Sequence, residues 1–350
     1  MRMRGRMSIA PSWVAAVLAI GTVLAVSGDA QEPKPFTERV DVQRVLLDVH
    51  VTDGVGQPLE NLTASDFRVR IGGKPARVES ATWVAGALRD ETASALLRSP
   101  AATAPVAVEG RLIVFLIQKD LEPSRIVGLM RLLIEAKPFF ASFTPRDRVA
   151  VLSFDSRLRV WTDFTNDLDR IRALLQHDIL MREPPPIMES EPPSLVARLQ
   201  KRQADEAGSM ETALELVGHL LEPLPGAKNV VVFGHGFGRL GSSGVELAQD
   251  YDLAQKALRD ARASVFCLDV TQADYHSLEA GPQQVASDTG GFYERTFLFP
   301  ARAVNRLAGT LAGHYVLFVE RPLLTKKGPY RIDVEVPHRD ATVLAKDSID

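Results

Sequence analysis

Cysteine is all but missing from this chain. Cys267 is the only one, so no disulfide can form within it. It lies in the apolar run 263–268 (ASVFCL) and reads as a core thiol, because free cysteine packs as a small hydrophobe. An excess of one charge is missing too. With 41 basic and 44 acidic residues the net charge is -3, which excludes a general affinity for nucleic acid or anionic membrane. Nucleophilic signatures are absent as well. An α/β-hydrolase needs a G-x-S-x-G nucleophile elbow, and Gly241-Ser242-Ser243-Gly244 has the wrong spacing. His235-Gly236 after the apolar run 229–233 therefore has no nucleophile to serve. His50, His177, His219, His276, His314 and His338 lie scattered without metal-ligand spacing and read as structural or exposed. After residue 26, no run is apolar enough to span a bilayer.

What is present begins with an export signal. Arg2, Arg4 and Arg6 precede the apolar run 13–26 (WVAAVLAIGTVLAV), and Gly28-Asp29-Ala30 supplies small residues for a cut after Ala30. An uncleaved anchor is the alternative for this segment, and no cysteine follows it to carry a lipid. Residues 31–350 are then expected to be exported, to the periplasm or beyond.

The next 50 residues alternate. Val45, Leu47, Val49 and Val51 share one face, and Phe67, Val69 and Ile71 share another, with glycine-rich turns between. Residues 37–86 thus read as a small antiparallel β unit, and the Ala-, Ser- and Pro-rich stretch 87–109 as a linker. From residue 110 apolar strands interleave with helices. Strands are expected at 111–117, 148–154, 229–233, 264–270, 290–296 and 315–320, with 158–161 as a short antiparallel edge. Helices are expected at 124–143, 166–176, 195–221 (broken near Gly208-Ser209), 245–262 and 300–311. Such interleaving implies an α/β, doubly wound, mostly parallel sheet over 110–320, covered on both faces. Residues 183–194 (EPPPIMESEPPS) form an acidic, proline-rich insertion, and 329–336 (PYRIDVEV) alternates as part of a C-terminal β extension, 321–350. That extension and the N-terminal unit are each too small to stand alone, so they are expected to pair.

These signals, taken in order, resemble the VWFA-related domain family known mainly from acidobacterial genomes. The resemblance is carried by 45–53 (VLLDVHVTD) with 62–67 (LTASDF), by the strand and helix over 111–140 with 147–151 (DRVAV), by 209–214 leading to 229–233, and by Thr289-Gly290-Gly291 with 314–317 (HYVL) and 328–336. It covers nearly all of the chain after residue 30. In von Willebrand factor type A (VWA) domains, the first strand of the α/β sheet ends on Asp-x-Ser-x-Ser. A threonine from a second loop and an aspartate after the fourth strand complete a Mg²⁺ or Mn²⁺ site open to a partner's carboxylate. Carried over by position, the first loop of this chain offers Gln118, Asp120 and Glu122, the second Thr212 with Ser209 nearby, and the third Gly234-His235-Gly236. Both leading aspartate positions are lost, to Gln118 and His235. Asp120, Glu122 and Thr212 remain as oxygen donors for a weak Mg²⁺ or Mn²⁺ site. The resemblance therefore implies a non-catalytic module that binds a protein or peptide partner through these loops.

One rival chemistry is written in the same loop. Gly236-Phe237-Gly238-Arg239-Leu240-Gly241 matches G-x-G-x-x-G after a strand, and Asp269 ends the following strand. Those are the parts of a dinucleotide fingerprint, so an enzyme holding a nucleotide or phosphorylated ligand is the alternative.

Overall fold

Alternation puts Leu47, Val49 and Val51 of β1 (Arg44–Asp53) on one buried face. Around it the chain builds a two-layer β sandwich. The computed structural model describes residues 43–86, 110–186, 191–241, 244–247, 251–273, 276–324, 328–337 and 340–349. The expected signal segment 1–30, the linker 87–109 and residues 187–190 of the proline-rich insertion lie outside these residues. After β1 come β2 (Arg68–Ile71), β3 (Lys74–Ala76) and β4 (Val78–Ala85).

From residue 112 the strands are continuously apolar, as both faces must be covered. β5 (Leu112–Gln118) leads into α1 (Pro123–Glu135) and α2 (Lys137–Ala141). β6 (Arg148–Phe154), the longer-than-expected edge β7 (Leu158–Thr165) and α3 (Leu168–Ala173) follow. Next are α4 (Lys201–Glu206), α5 (Met210–Leu221) and β8 (Lys228–Gly234). A hairpin of β9 (Arg239–Gly241) and β10 (Gly244–Glu246) precedes α6 (Tyr251–Asp260), β11 (Ala263–Asp269) and α7 (Ala280–Asp288). β12 (Tyr293–Arg295) and α8 (Pro300–Leu311) complete this layer. The last strands are β13 (Gly313–Glu320), β14 (Tyr330–Glu335), β15 (Ala341–Ala345) and β16 (Ser348–Ile349).

The α/β sheet has the order β12-β11-β8-β5-β6-β7, parallel throughout except for the antiparallel β6–β7 pair. Numbered along the chain and read from the β7 edge, this is 3-2-1-4-5-6. The order reverses between β5 and β8, and open α/β sheets bind ligands at the carboxyl ends of strands beside such a point. Leu112, Val114 and Leu116 face Leu214 and Val217 of α5 and Leu258 of α6. Ile113, Phe115 and Ile117 face Leu132 of α1, Phe139 of α2 and Leu307 of α8. Each such side chain contributes about 1.5–3 kcal/mol on burial. The amino end of β5 is tied down by the fully buried Asp147, which accepts from Arg111 N (3.0 Å) and Nε (2.9 Å) and from Thr144 N (2.7 Å).

Several boundaries differ from expectation. The helix expected over 124–143 breaks at Ala136, because Pro138 starts a new turn. The helix expected over 195–221 is interrupted at Gly208-Ser209, as expected, and again before Lys201. Of the helix expected over 245–262, residues 244–246 are taken into the hairpin, and the described helix runs Tyr251–Asp260. The largest correction concerns 315–320. β13 is not the last strand of the α/β sheet. It pairs with β1 and β4 in the sandwich, in the order β15-β1-β13-β4. The opposing sandwich layer is β16-β14-β2-β3, so the C-terminal strands do pair with the N-terminal ones. Tyr315, Leu317 and Val319 fill the space between the layers. The other face of the β1 sheet meets the α/β layer. There Arg262 clamps Asp48 at 2.9 and 2.6 Å, and His50 Nδ1 reaches the carbonyls of Thr310 (3.0 Å) and Gly313 (3.2 Å).

Candidate functional site

β5 and β8 deliver Gln118 and the 234–236 loop side by side at the point where strand order reverses. The Gln118 amide bridges the two strands' loops. Its Nε2 donates to Gly236 O at 2.9 Å, and its Oε1 accepts from His235 N at 3.0 Å. Both ends of the side chain are therefore used on backbone, like one rung of a β ladder. Asp120 and Glu122 are equally occupied. Glu122 caps α1 by accepting from Ser124 N (3.2 Å), Arg125 N (3.1 Å) and the Ser124 hydroxyl. The Ser124 bonds, with help from Arg125, hold its carboxyl below the ordinary range. Asp120 accepts from Glu122 N at 2.9 Å and is ion-paired with Arg125. Burial would raise its pKa, but the Glu122 N–H and the Arg125 charge outweigh that and lower it.

His235 completes this group. Its Nε2 lies 3.6 Å from Asp120 Oδ2, and its buried Nδ1 has no hydrogen-bond partner among the described residues. Burial first, and the Arg125 charge second, push its pKa down against the pull of Asp120 and Asp269. The imidazole is thus biased to the neutral form. Ser209 and Thr212 stay apart from these residues in bonding. They form a capping box at the start of α5, with Thr212 N donating to Ser209 Oγ (3.1 Å) and Ser209 N to Thr212 Oγ1 (3.0 Å). The structure therefore brings Gln118, Asp120, Glu122 and His235 together through Arg125 and backbone, and leaves Ser209 and Thr212 bonded to one another.

The glycine-rich loop departs from a dinucleotide site. No helix begins at its end; Arg239–Gly241 turns back on Gly244–Glu246 as a hairpin. Gly236 sits at φ +98°, where a Cβ would come within 2.7 Å of Leu278 O. Gly281 in turn lets its own backbone approach Phe237 O, which a Cβ would meet at 2.3 Å. These glycines serve packing of protein on protein, not approach of a pyrophosphate. Asp269, the expected ribose partner, is buried and engaged by Thr271 N (2.8 Å), His276 Nε2 (2.6 Å) and Tyr293 OH (2.8 Å).

That last network is the part the sequence reading missed. Beyond Tyr293 the chain of contacts runs to Glu279 (3.2 Å), and Glu279 takes Arg295 Nε and Nη2 at 2.9 and 2.7 Å. The Arg295 bonds hold the Glu279 carboxyl low, while burial and the Asp269 charge push the Tyr293 phenol up. An acid closing an otherwise apolar strand was the available signal at Asp269. His276 arrives from a loop and Tyr293 from the start of β12, and sequence spacing places neither beside it. Cys267, on the same strand, is buried, and burial pushes its thiol well above the ordinary range.

No protein-family model matches the chain, and neither does any curated protein. Among solved structures it is similar to an aerotolerance-related membrane protein from Bacteroides fragilis, at 15% identity, covering 58% of this chain and 98% of that one, with a TM-score of 0.38. BatB from Bacteroides thetaiotaomicron matches at 16% identity over 57% of this chain and 98% of that one, TM-score 0.36. A von Willebrand factor type A protein from Catenulispora acidiphila matches at 12% identity over 89% and 74%, TM-score 0.38. At these scores the likenesses carry no argument about activity. The mixed α/β fold, with one mostly parallel sheet and additional antiparallel sheets, stands on its own strand order.

Proposed function

We propose that the chain is an exported, non-catalytic module of the VWA kind that binds a protein or peptide partner on the carboxyl edge of its α/β sheet, without a metal. The observation that carries this reading is the Gln118 amide, which joins the 118 and 234–236 loops by two hydrogen bonds where the resemblance would put a metal. A hard cation needs several free oxygen ligands, with at least one or two carboxylates among them. Here Glu122 is spent on the helix cap, and Arg125 already supplies the positive charge to Asp120. Thr212 is committed to Ser209. The donor set therefore does not fit Mg²⁺ or Mn²⁺. Against catalysis stand the lack of a G-x-S-x-G nucleophile elbow in the sequence and the deep burial of Cys267. Export rests on the basic head and apolar run of residues 1–30. No helix among the described residues is long and apolar enough to cross a membrane.

The test is thermal unfolding of the full chain in Mg²⁺, Mn²⁺, NAD or chelator, since a ligand of the native state raises the midpoint by mass action. None is expected to shift it. A saturable rise with Mg²⁺ that disappears in Asp120→Ala would restore the metal site. A rise with NAD that disappears in Gly236→Ala would restore the nucleotide reading.

A further inference from the structure

The loops after β11 and β12 border a cleft of about 470 Å³ that the sequence reading did not single out. Thr271, Gln283, Tyr293, Arg295, Phe297 and Arg302 are among the residues lining it. Three independent features mark it as built for a ligand. The first is apolar. Leu298 and Phe299, adjacent in the chain and both on the cleft wall, are 58% and 66% exposed. Single exposed apolar side chains are ordinary, but a pair of large ones on the rim of a cleft, backed by Phe297, is surface of the kind that a partner covers.

The second feature is charge and its direction. Arg295 is bonded to Glu279 and Arg302 to Glu294, and Arg306 also uses Glu294 at 2.8 Å. The carboxylates lie inside, at 6% and 10% side-chain exposure, while the Arg295 and Arg302 side chains are 45% and 75% exposed. Arg131 adds a fourth guanidinium, stacked 5.0 Å above the Phe297 ring. Of the charged side chains lining the cleft, Glu294 is buried and Arg295 and Arg302 are exposed, so guanidinium groups are the charge that the rim presents to solvent. The third acid nearby, Asp269, lies beneath and is satisfied by Thr271, His276 and Tyr293. The third feature is an orphan. The Thr271 hydroxyl is buried and has no hydrogen-bond partner among the described residues, and an unpaired buried hydroxyl is costly.

We infer that this cleft is the docking site for an acidic segment of a partner protein that carries a large apolar side chain. The apolar side chain packs against Phe297 and Phe299. Flanking carboxylates meet Arg295 and Arg302, whose planar forks suit them. A polar group of the segment reaches Thr271. The inference rests on the protein-binding reading above and deepens it, by moving the contact surface from the 118–122 and 234–236 loops to those after β11 and β12. Nucleic acid is the less suitable occupant, because the exposed wall is aliphatic as well as aromatic, through Leu298, and the net charge of the chain is -3.

The experiment is selection of random displayed peptides on the immobilised full chain, followed by affinity measurement with the enriched, fluorescently labelled peptide. Enrichment of Asp or Glu flanking Leu, Phe or Trp is expected. Affinity should fall about tenfold or more in Arg302→Glu and in Phe299→Ser, and should largely survive in Arg302→Lys and in Glu122→Gln. Both cleft positions are exposed, so unchanged unfolding midpoints serve as the folding control. A basic or charge-free consensus, or an affinity indifferent to both cleft substitutions, would overturn the inference. If the enriched peptide were instead lost in Glu122→Gln alone, protein binding would stand and the cleft would not. If no peptide were enriched, both would fall. Displacement of the enriched peptide by single-stranded RNA would overturn the partner class.

Discussion

The carboxyl edge of one sheet carries two regions built in opposite ways. After β5 and β8, nearly every polar group is spent within the protein: Gln118 on backbone, Glu122 on a helix cap, Asp120 on Arg125. After β11 and β12, acids are buried and satisfied, but apolar side chains and guanidinium groups face out, and the Thr271 hydroxyl has no partner among the described residues. The difference teaches that the strand-order reversal locates a region and not a ligand. Gln118, Asp120 and Glu122, where the resemblance would put the chemistry, are bonded within the protein, and the surface proposed for docking lies beyond β11 and β12.

The comparison can be broken by substitution, because closed groups should cost stability and open ones should not. The largest effect is expected at Asp269, which is buried and meets three donors. Asp269→Ala leaves the Thr271 N–H and His276 without this partner and the Tyr293 hydroxyl with only its longer contact to Glu279, and urea unfolding should show a loss of about 3 kcal/mol. Gln118→Ala removes the two-bond bridge and should cost about 2 kcal/mol by the same assay. A stability change below a few tenths of a kcal/mol there would mean that the 118 and 234–236 loops are not held by it.

A smaller effect follows from pH. The folded-state pKa of His235 is pushed below its ordinary value of 6.5, so its contribution is present above that pH and is lost as pH falls towards the folded value. Unfolding midpoints measured on acidification below pH 6.5 should therefore drop less in His235→Gln than in the parent chain. The smallest effect is expected at Phe299. Phe299→Ser should change stability by no more than about 0.5 kcal/mol, because the ring is already in water. A large loss would mean that the open half is packed more like the closed half.

The sequence made the strands of the α/β sheet legible where apolar runs are continuous, as in β5, β8 and β11, since only doubly covered strands carry such runs. It misplaced β13 for the same reason. Val316 and Val319 are as fully buried as core strand residues, and burial does not say which sheet a strand joins. At the site, Gln118 and His235 were found by position, and their roles were not, because the decisive partners are backbone atoms more than 100 residues away. G-x-G-x-x-G misled because glycine permits close approach of any group, and here the group is Leu278 O. The cleft was invisible because 271–273, Gln283 and 293–302 meet only after the chain has folded.

The central claim, that the Gln118 side chain does in this chain what a metal would do between the two loops, is tested most directly by amide hydrogen exchange at His235. Its N–H donates to Gln118 Oε1. The account predicts strong protection in chelator, no change on adding millimolar Mg²⁺, and loss of protection in Gln118→Ala. Weak protection in chelator that rises with Mg²⁺ and is indifferent to Gln118→Ala would contradict it.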